Sequence, residues 1–274
     1  MTQETIRSAR WQEEPETDNA FAAHTCRCAG YDVYGELLTR ASYVDYLFLL
    51  FCGERPTPAQ SLLLQRLAVA LANPGPRDAS IHAAMSAGVG GSTRASCLMA
   101  ALAVGAGQHG GARELVLALQ LWSECGTNLE LWRAAGHRGF KQPHFDGWGP
   151  LDHMPGFDPY GVSAPLPLRQ LLEATATAAA GPNSPWLQQH RLELEAITGH
   201  PLSPIGVCAA ACADLGLAAG PAEMLFLLLR LPGAAMHALE QEEHGWREFP
   251  FFNTQYHLRG EPEPSSARLE ETPA

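Results

Sequence analysis

The sequence predicts an all-α protein. Three observations carry this: apolar residues recur at helical spacing in segment after segment, helix-capping signatures stand at the segment starts, and no convincing strand or internal repeat appears. At 274 residues the chain is long enough to bury a substantial core.

The elements follow in order. Residues 1–20 are charged and aperiodic and residues 257–274 are rich in Glu, Pro and Ser, so both predict loosely ordered tails. Ser42 with Asp45 reads as a capping box opening a helix that runs through Leu50 and stops at Gly53. Thr57-Pro58 with Gln60 is a stronger one, with Pro at the first helical position, and its helix extends to about Ala72 before Asn73-Pro74-Gly75-Pro76 ends it. A short helix over 81–85, a break at Val89-Gly90-Gly91 and a cap at Ser92 lead into a small-residue helix, whose Ala, Leu, Met and Gly suit a buried position. That helix breaks at Gln108-His109-Gly110-Gly111-Ala112, and a second one resumes through Glu124 with Leu115, Leu119 and Trp122 at helical spacing. A helix over 128–135 precedes a Gly- and Pro-rich stretch, 139–167, that carries His144, Trp148, His153 and Phe157; such length without periodicity marks a functional or mobile loop. Helices then return over 168–180, 184–198, 205–215 and 221–243.

Composition excludes several classes. A net charge of −11 with only 18 basic residues argues against binding nucleic acid or an anionic membrane by bulk electrostatics, so any anionic substrate needs local arginines. Apolar residues make up 46%, yet no uncharged run is long enough to cross a bilayer, and the N-terminus is polar and acidic; a soluble cytoplasmic protein is expected. Seven scattered cysteines imply no disulfide framework, and Cys97, Cys208 and Cys212 read as small core side chains. His24-x-Cys26-x-Cys28 lacks a second ligand cluster, so no metal site is expected.

Two residues stand out chemically. His109, inserted between glycines at a helix–helix junction, is suited to stabilising a developing enolate or oxyanion near free backbone N–H groups, or is a core histidine satisfied by a carbonyl. Arg230 lies in an apolar run and either meets an anion or reaches solvent from its helix, since a buried guanidinium is costly without a partner.

Gly107-Gln108-His109-Gly110-Gly111-Ala112 resembles the HGGA signature of the citrate synthase superfamily, which includes citrate synthases, methylcitrate synthases, citryl-CoA lyases and the C-terminal module of ATP-citrate lyase. Gly30-Tyr31-Asp32-Val33-Tyr34 and the passage from Leu47 to Thr57 resemble a second family segment; Gly136-His137-Arg138 looks like its Gly-His-Arg loop, and Ile205-Gly206-Val207 with Leu229-Arg230 fits its last helices. The likeness covers roughly residues 25–256, is strongest before residue 115, and is closest to the citryl-CoA lyases. It implies a citrate-synthase-like helical fold with a large domain over 21–112 and 201–256, a smaller domain inserted over 113–200, and a homodimer. It further implies a citryl-CoA lyase-like enzyme that cleaves or forms a carbon–carbon bond between acetyl-CoA and a keto acid such as oxaloacetate. The CoA thioester then enters as substrate, with no cofactor. By position, His109 and His137 match the two catalytic histidines, and Arg138, Arg230 and Arg247 match substrate-binding positions, Arg247 near an arginine that the family supplies to the neighbouring subunit.

Three departures qualify the match. Leu202 stands four residues before Gly206, where the family has its catalytic Asp, and a leucine cannot exchange a proton. An earlier oxaloacetate-binding His falls near Pro74, and the Asp-Pro-Arg arginine becomes Tyr160 if Asp158-Pro159 is the anchor. His200, Ser203, Asp78 and His82 are candidates to compensate. The departures favour an alternative, a protein of this fold that has lost the standard aldol chemistry and binds CoA esters or acts on another substrate. A helical scaffold without a small-molecule site is the third reading.

Overall fold

Caps written in the sequence set where most helices begin. The computed structural model describes residues 6–19, 21–138 and 151–250, and among these are eleven α-helical segments, one π-helical turn, one 3₁₀ turn and a small sheet. A π-helical turn, Val33–Leu37, runs into α1 (Leu38–Arg40). Both capping boxes form: Ser42 starts α2 (Tyr43–Cys52), which ends at Gly53 in the left-handed conformation, and Thr57 starts α3 (Pro58–Ala72). The short helix expected over 81–85 is longer, α4 (Ala79–Val89), because the Asp78 carboxylate accepts from the Ser80 and Ile81 N–H groups. Thr93 rather than Ser92 caps α5 (Arg94–Gly105). Next come α6 (Ala112–Cys125), α7 (Leu129–Arg138), α8 (Leu166–Ala176), α9 (Asn183–Thr198), α10 (Pro204–Asp214) and α11 (Ala219–His244), then a 3₁₀ turn, Trp246–Glu248.

The expectations of no strand and of a loose N-terminus are corrected. Residues 6–19 and 21–32 contribute a four-stranded antiparallel meander, β1 (Ile6–Arg7), β2 (Trp11–Pro15), β3 (Ala23–Cys28) and β4 (Tyr31–Asp32). The Ala29-Gly30 link has positive φ at both residues, the conformation a two-residue hairpin requires. Trp11, Cys28 and Tyr31 pack with Leu37 and Leu49 in a small separate core, and the Arg10 guanidinium donates to the Leu49 and Leu50 carbonyls, at 3.3 and 3.1 Å, tying the sheet to the end of α2. The C-terminal segment 257–274 lies outside the described residues.

Around α11 the helices are arranged face to face: α3, α4, α5 and α6 all lie against it. Glycines permit the closest approaches. A Cβ on Gly88 of α4 would stand 2.6 Å from the Ala238 carbonyl oxygen, and one on Gly233 would stand 2.6 Å from that of Ala72. α11 is long and apolar enough to cross a membrane, but half of its most apolar stretch is buried inside the fold, as expected of a central core helix. Helix α10 is apolar on every side, and Ile205 through Cys212 are all buried between α6, α8, α9 and α3. That burial pushes the Cys208 thiol up to about 12 and the Cys212 thiol higher still, which fits the reading of both as core side chains. Trp122, Trp132 and Trp186 meet edge to face, with ring centroids 5.2 and 6.0 Å apart, and join α6, α7 and α9.

Candidate functional site

The HGG turn is made by crowding. Gly110 has φ +70°, and a Cβ on Gly111 would lie 2.3 Å from the Gly107 carbonyl oxygen, so the chain reverses tightly between α5 and α6 where only glycine fits. A second close approach faces it: a Cβ on Gly206 of α10 would stand 2.3 Å from the Gly156 carbonyl oxygen. Phe157 and Leu202 form an antiparallel β-bridge beside that contact.

Glu114, in the first turn of α6 and only 3% exposed, joins the two regions. One carboxylate oxygen accepts from the Gly110 N–H at 2.7 Å and the other from the Gly156 N–H at 3.0 Å. The buried His153 ring sits beside it, with Nε2 3.8 Å from Glu114 Oε1 and Nδ1 3.1 Å from the exposed Asp152 carboxylate. The Glu114 carboxylate raises the His153 pKa above the ordinary histidine value of 6.5; burial opposes the shift and Asp152 adds to it. His153 is therefore held toward its charged form. Asp152, fully solvated, is held below the usual carboxylate range by the same ring.

A cavity of about 350 Å³ opens between these elements. His109, Gly110 and Glu114 come from the turn and α6; His153, Phe157, Asp158, Pro159 and Tyr160 from the segment before α8; Ser203, Pro204 and Ile205 from the start of α10; Phe226 and Arg230 from α11; Leu71 from the end of α3; and Pro74 and Asp78 from the link between α3 and α4. The rings of His109 and His153 lie 6.3 Å apart, centroid to centroid. Arg230 is buried, pairs through Nη2 with the Asp78 carboxylate, donates from Nη1 to the Gly110 carbonyl at 3.4 Å, and rests 4.8 Å over the Phe226 ring. Of the two readings of Arg230, the structure gives the anion-paired one, and the anion is the protein's own. Its Nε lies buried without a hydrogen-bond acceptor among the described residues.

Thus the structure brings His109 and Arg230 to one cavity. It does not bring the other three candidates there. His137 is exposed in the last turn of α7, outside the cavity lining; Arg138 is exposed and pairs with Glu124 at 3.0 Å; Arg247 is exposed on the 3₁₀ turn after α11. The second imidazole at the cavity is His153, which the sequence flagged only as part of an aperiodic Gly- and Pro-rich stretch. Among the compensating candidates, Ser203 and Asp78 line the cavity, His200 lines a separate one beside Arg169 and Arg191, and His82 stacks on Phe249 at 5.9 Å. Pro74 and Tyr160 also line the cavity, and Leu202 is buried behind it. Asp158, next to the bridge partner of Leu202, also lines the cavity, and its Oδ1 accepts from the Tyr160 N–H at 2.9 Å.

No protein-family model matches the sequence, and no curated protein matches it either. Solved structures do. Citryl-CoA lyase from Hydrogenobacter thermophilus superposes with a TM-score of 0.66 at 18% identity, covering 94% of this chain and 97% of that one. ATP citrate lyase from Methanothrix soehngenii, in complex with citrate and coenzyme A, gives 0.67 at 18% identity over 95% of this chain. Methanosaeta concilii ATP citrate lyase, in complex with (3S)-citryl-CoA, gives 0.64 at 18% over 93% of this chain. The chain spans 43% of the length of each of those two. In its helical architecture this chain therefore has the citrate-synthase-like fold of citryl-CoA lyase.

Proposed function

We propose that the cavity is the active site of a carbon–carbon lyase of citryl-CoA lyase type, acting on a CoA thioester. The observation that carries the reading is the pairing of His109, on its glycine turn, with the buried His153–Glu114 couple across a cavity that also holds Asp158. Solved proteins of this fold bind citrate, coenzyme A and (3S)-citryl-CoA, which supports the choice of ligand class.

In the cleavage direction, a base takes the proton of the hydroxyl β to the thioester carbonyl, the carbon–carbon bond breaks, and its electron pair passes to the thioester as an enolate. Protonation of that carbon then gives acetyl-CoA and a carbonyl compound. In this reading His109 donates a hydrogen bond to the enolate oxygen. The His153–Glu114 couple holds the proton exchanged with the hydroxyl or carbonyl oxygen. Asp158 supplies the carboxylate that Leu202 lacks, exchanging the proton with the acetyl methyl. This acid–base set needs no metal or cofactor. The working form is a cytoplasmic homodimer.

Leu202 favours a second reading, a CoA-ester binder without turnover, because a buried alkyl group stands where proton exchange is expected. Incubating the protein with acetyl-CoA in D₂O separates the two. Deuterium entering the methyl group, and its loss in Asp158→Asn, supports the lyase; tight CoA binding without exchange supports the binder.

A further inference from the structure

The charges of the cavity bear on the second substrate, and this inference rests on the lyase reading above. Among the described lining residues Arg230 is the sole guanidinium and no ammonium is present, whereas Asp78, Glu114 and Asp158 contribute three carboxylates. Pairing these off, Asp78 takes Arg230 and Glu114 takes His153, which leaves Asp158, whose Oδ1 accepts from the Tyr160 N–H at 2.9 Å, without a cation among the described lining residues. Leu71, Phe157, Ile205 and Phe226 make the remaining wall apolar. A ligand carboxylate entering here meets a like charge and, among the described residues, no free guanidinium, and desolvating it without a partner is strongly unfavourable.

We propose that the carbonyl partner handled opposite the thioester carries an uncharged, mainly alkyl or aryl substituent, and that Asp78 sets this preference by holding Arg230 from within the protein. The reaction is the cleavage written above, with a neutral ketone or aldehyde released in place of a keto acid. Asp78 is then a specificity-determining residue, and freeing Arg230 admits carboxylates.

The test pairs Asp78→Asn with Asp78→Ser, since both side chains keep an oxygen able to cap α4. Calorimetry uses citrate and oxaloacetate as probes; cleavage assays compare 3-hydroxy-3-methylbutyryl-CoA with citryl-CoA. The wild type is expected to bind citrate about tenfold or more weakly than either variant, and to cleave the neutral ester with kcat/KM about tenfold or more above citryl-CoA. Asp78→Asn is expected to move that ratio about tenfold toward citryl-CoA. A wild type that binds citrate as tightly as the variants, or that prefers citryl-CoA, overturns the proposal. Solvent-deuterium exchange into acetyl-CoA reports on the lyase reading separately: exchange with cleavage of neither ester refutes the substrate class, and no exchange refutes the lyase reading, leaving the citrate titrations to decide whether Asp78 bars carboxylates.

Discussion

Replacing Glu114 tests the joint between the glycine turn and the His153 segment. Its carboxylate is buried and accepts from two backbone N–H groups, Gly110 at 2.7 Å and Gly156 at 3.0 Å. Glu114→Ala leaves the buried Gly156 N–H without an acceptor, at about 1–3 kcal/mol. It also removes a charge-assisted bond to the more exposed Gly110, about 0.5–1.5 kcal/mol after water replaces it, for a total of about 1.5–4.5 kcal/mol before any cavity contribution. At about 2–4 °C per kcal/mol for a domain of this size, the midpoint falls by roughly 3–18 °C in calorimetry. Glu114→Gln keeps one acceptor and costs about half as much. The pH dependence has a definite sign. Because Glu114 raises the His153 pKa above 6.5, the stabilisation is full below the ordinary histidine range and is lost as pH rises through the raised folded value. Urea titrations across that window are expected to lose stability with rising pH in the wild type and much less in Glu114→Gln. A loss under 1 kcal/mol for Glu114→Ala, or an unchanged pH slope in Glu114→Gln, refutes this reasoning.

Other expectations follow from the same geometry. His109→Ala lowers acetyl-CoA exchange about 10²–10³-fold, the size of losing one donor to a developing oxyanion, with little change in midpoint because His109 is exposed. His153→Gln lowers turnover by about 10² or more, whereas His137→Gln, outside the cavity, changes it by less than about threefold; the reverse order contradicts the site. Gly206→Ala forces a methyl to within 2.3 Å of the Gly156 oxygen and destabilises by about 1–3 kcal/mol or more, measured by denaturant midpoint. Cys208 and Cys212, with thiols at about 12 and above, resist alkylation at pH 8 in the folded protein and react only after unfolding, as mass spectrometry of labelled peptides will show.

The helical parts were legible because their signals are local. Ser42 and Thr57 each find their partner three residues on, and the spacing of Leu115, Leu119 and Trp122 fixes a buried face within one helix. The sheet was hidden because its support is distant: Arg10 reaches carbonyls 39 and 40 residues away, and β2 shows only one large apolar side chain, Trp11. The site divides the same way. His109 was marked by its flanking glycines, and Arg230 by its apolar neighbours. Asp78, its partner, lies 152 residues away, and nothing local announces the pair. His153 owes its place to a carboxylate on another helix and to a Gly156–Gly206 contact, neither of which has periodicity. The Gly-His-Arg motif drew attention to His137 instead, because a motif carries sequence order but not the path of the intervening loop.

The most direct measurement is a crystal structure of the protein with acetyl-CoA bound. The account predicts the thioester oxygen within about 3.2 Å of a ring nitrogen of His109 and the methyl group turned toward Asp158. A thioester seated outside this cavity, or one whose methyl faces only Leu202 and its apolar neighbours, contradicts it.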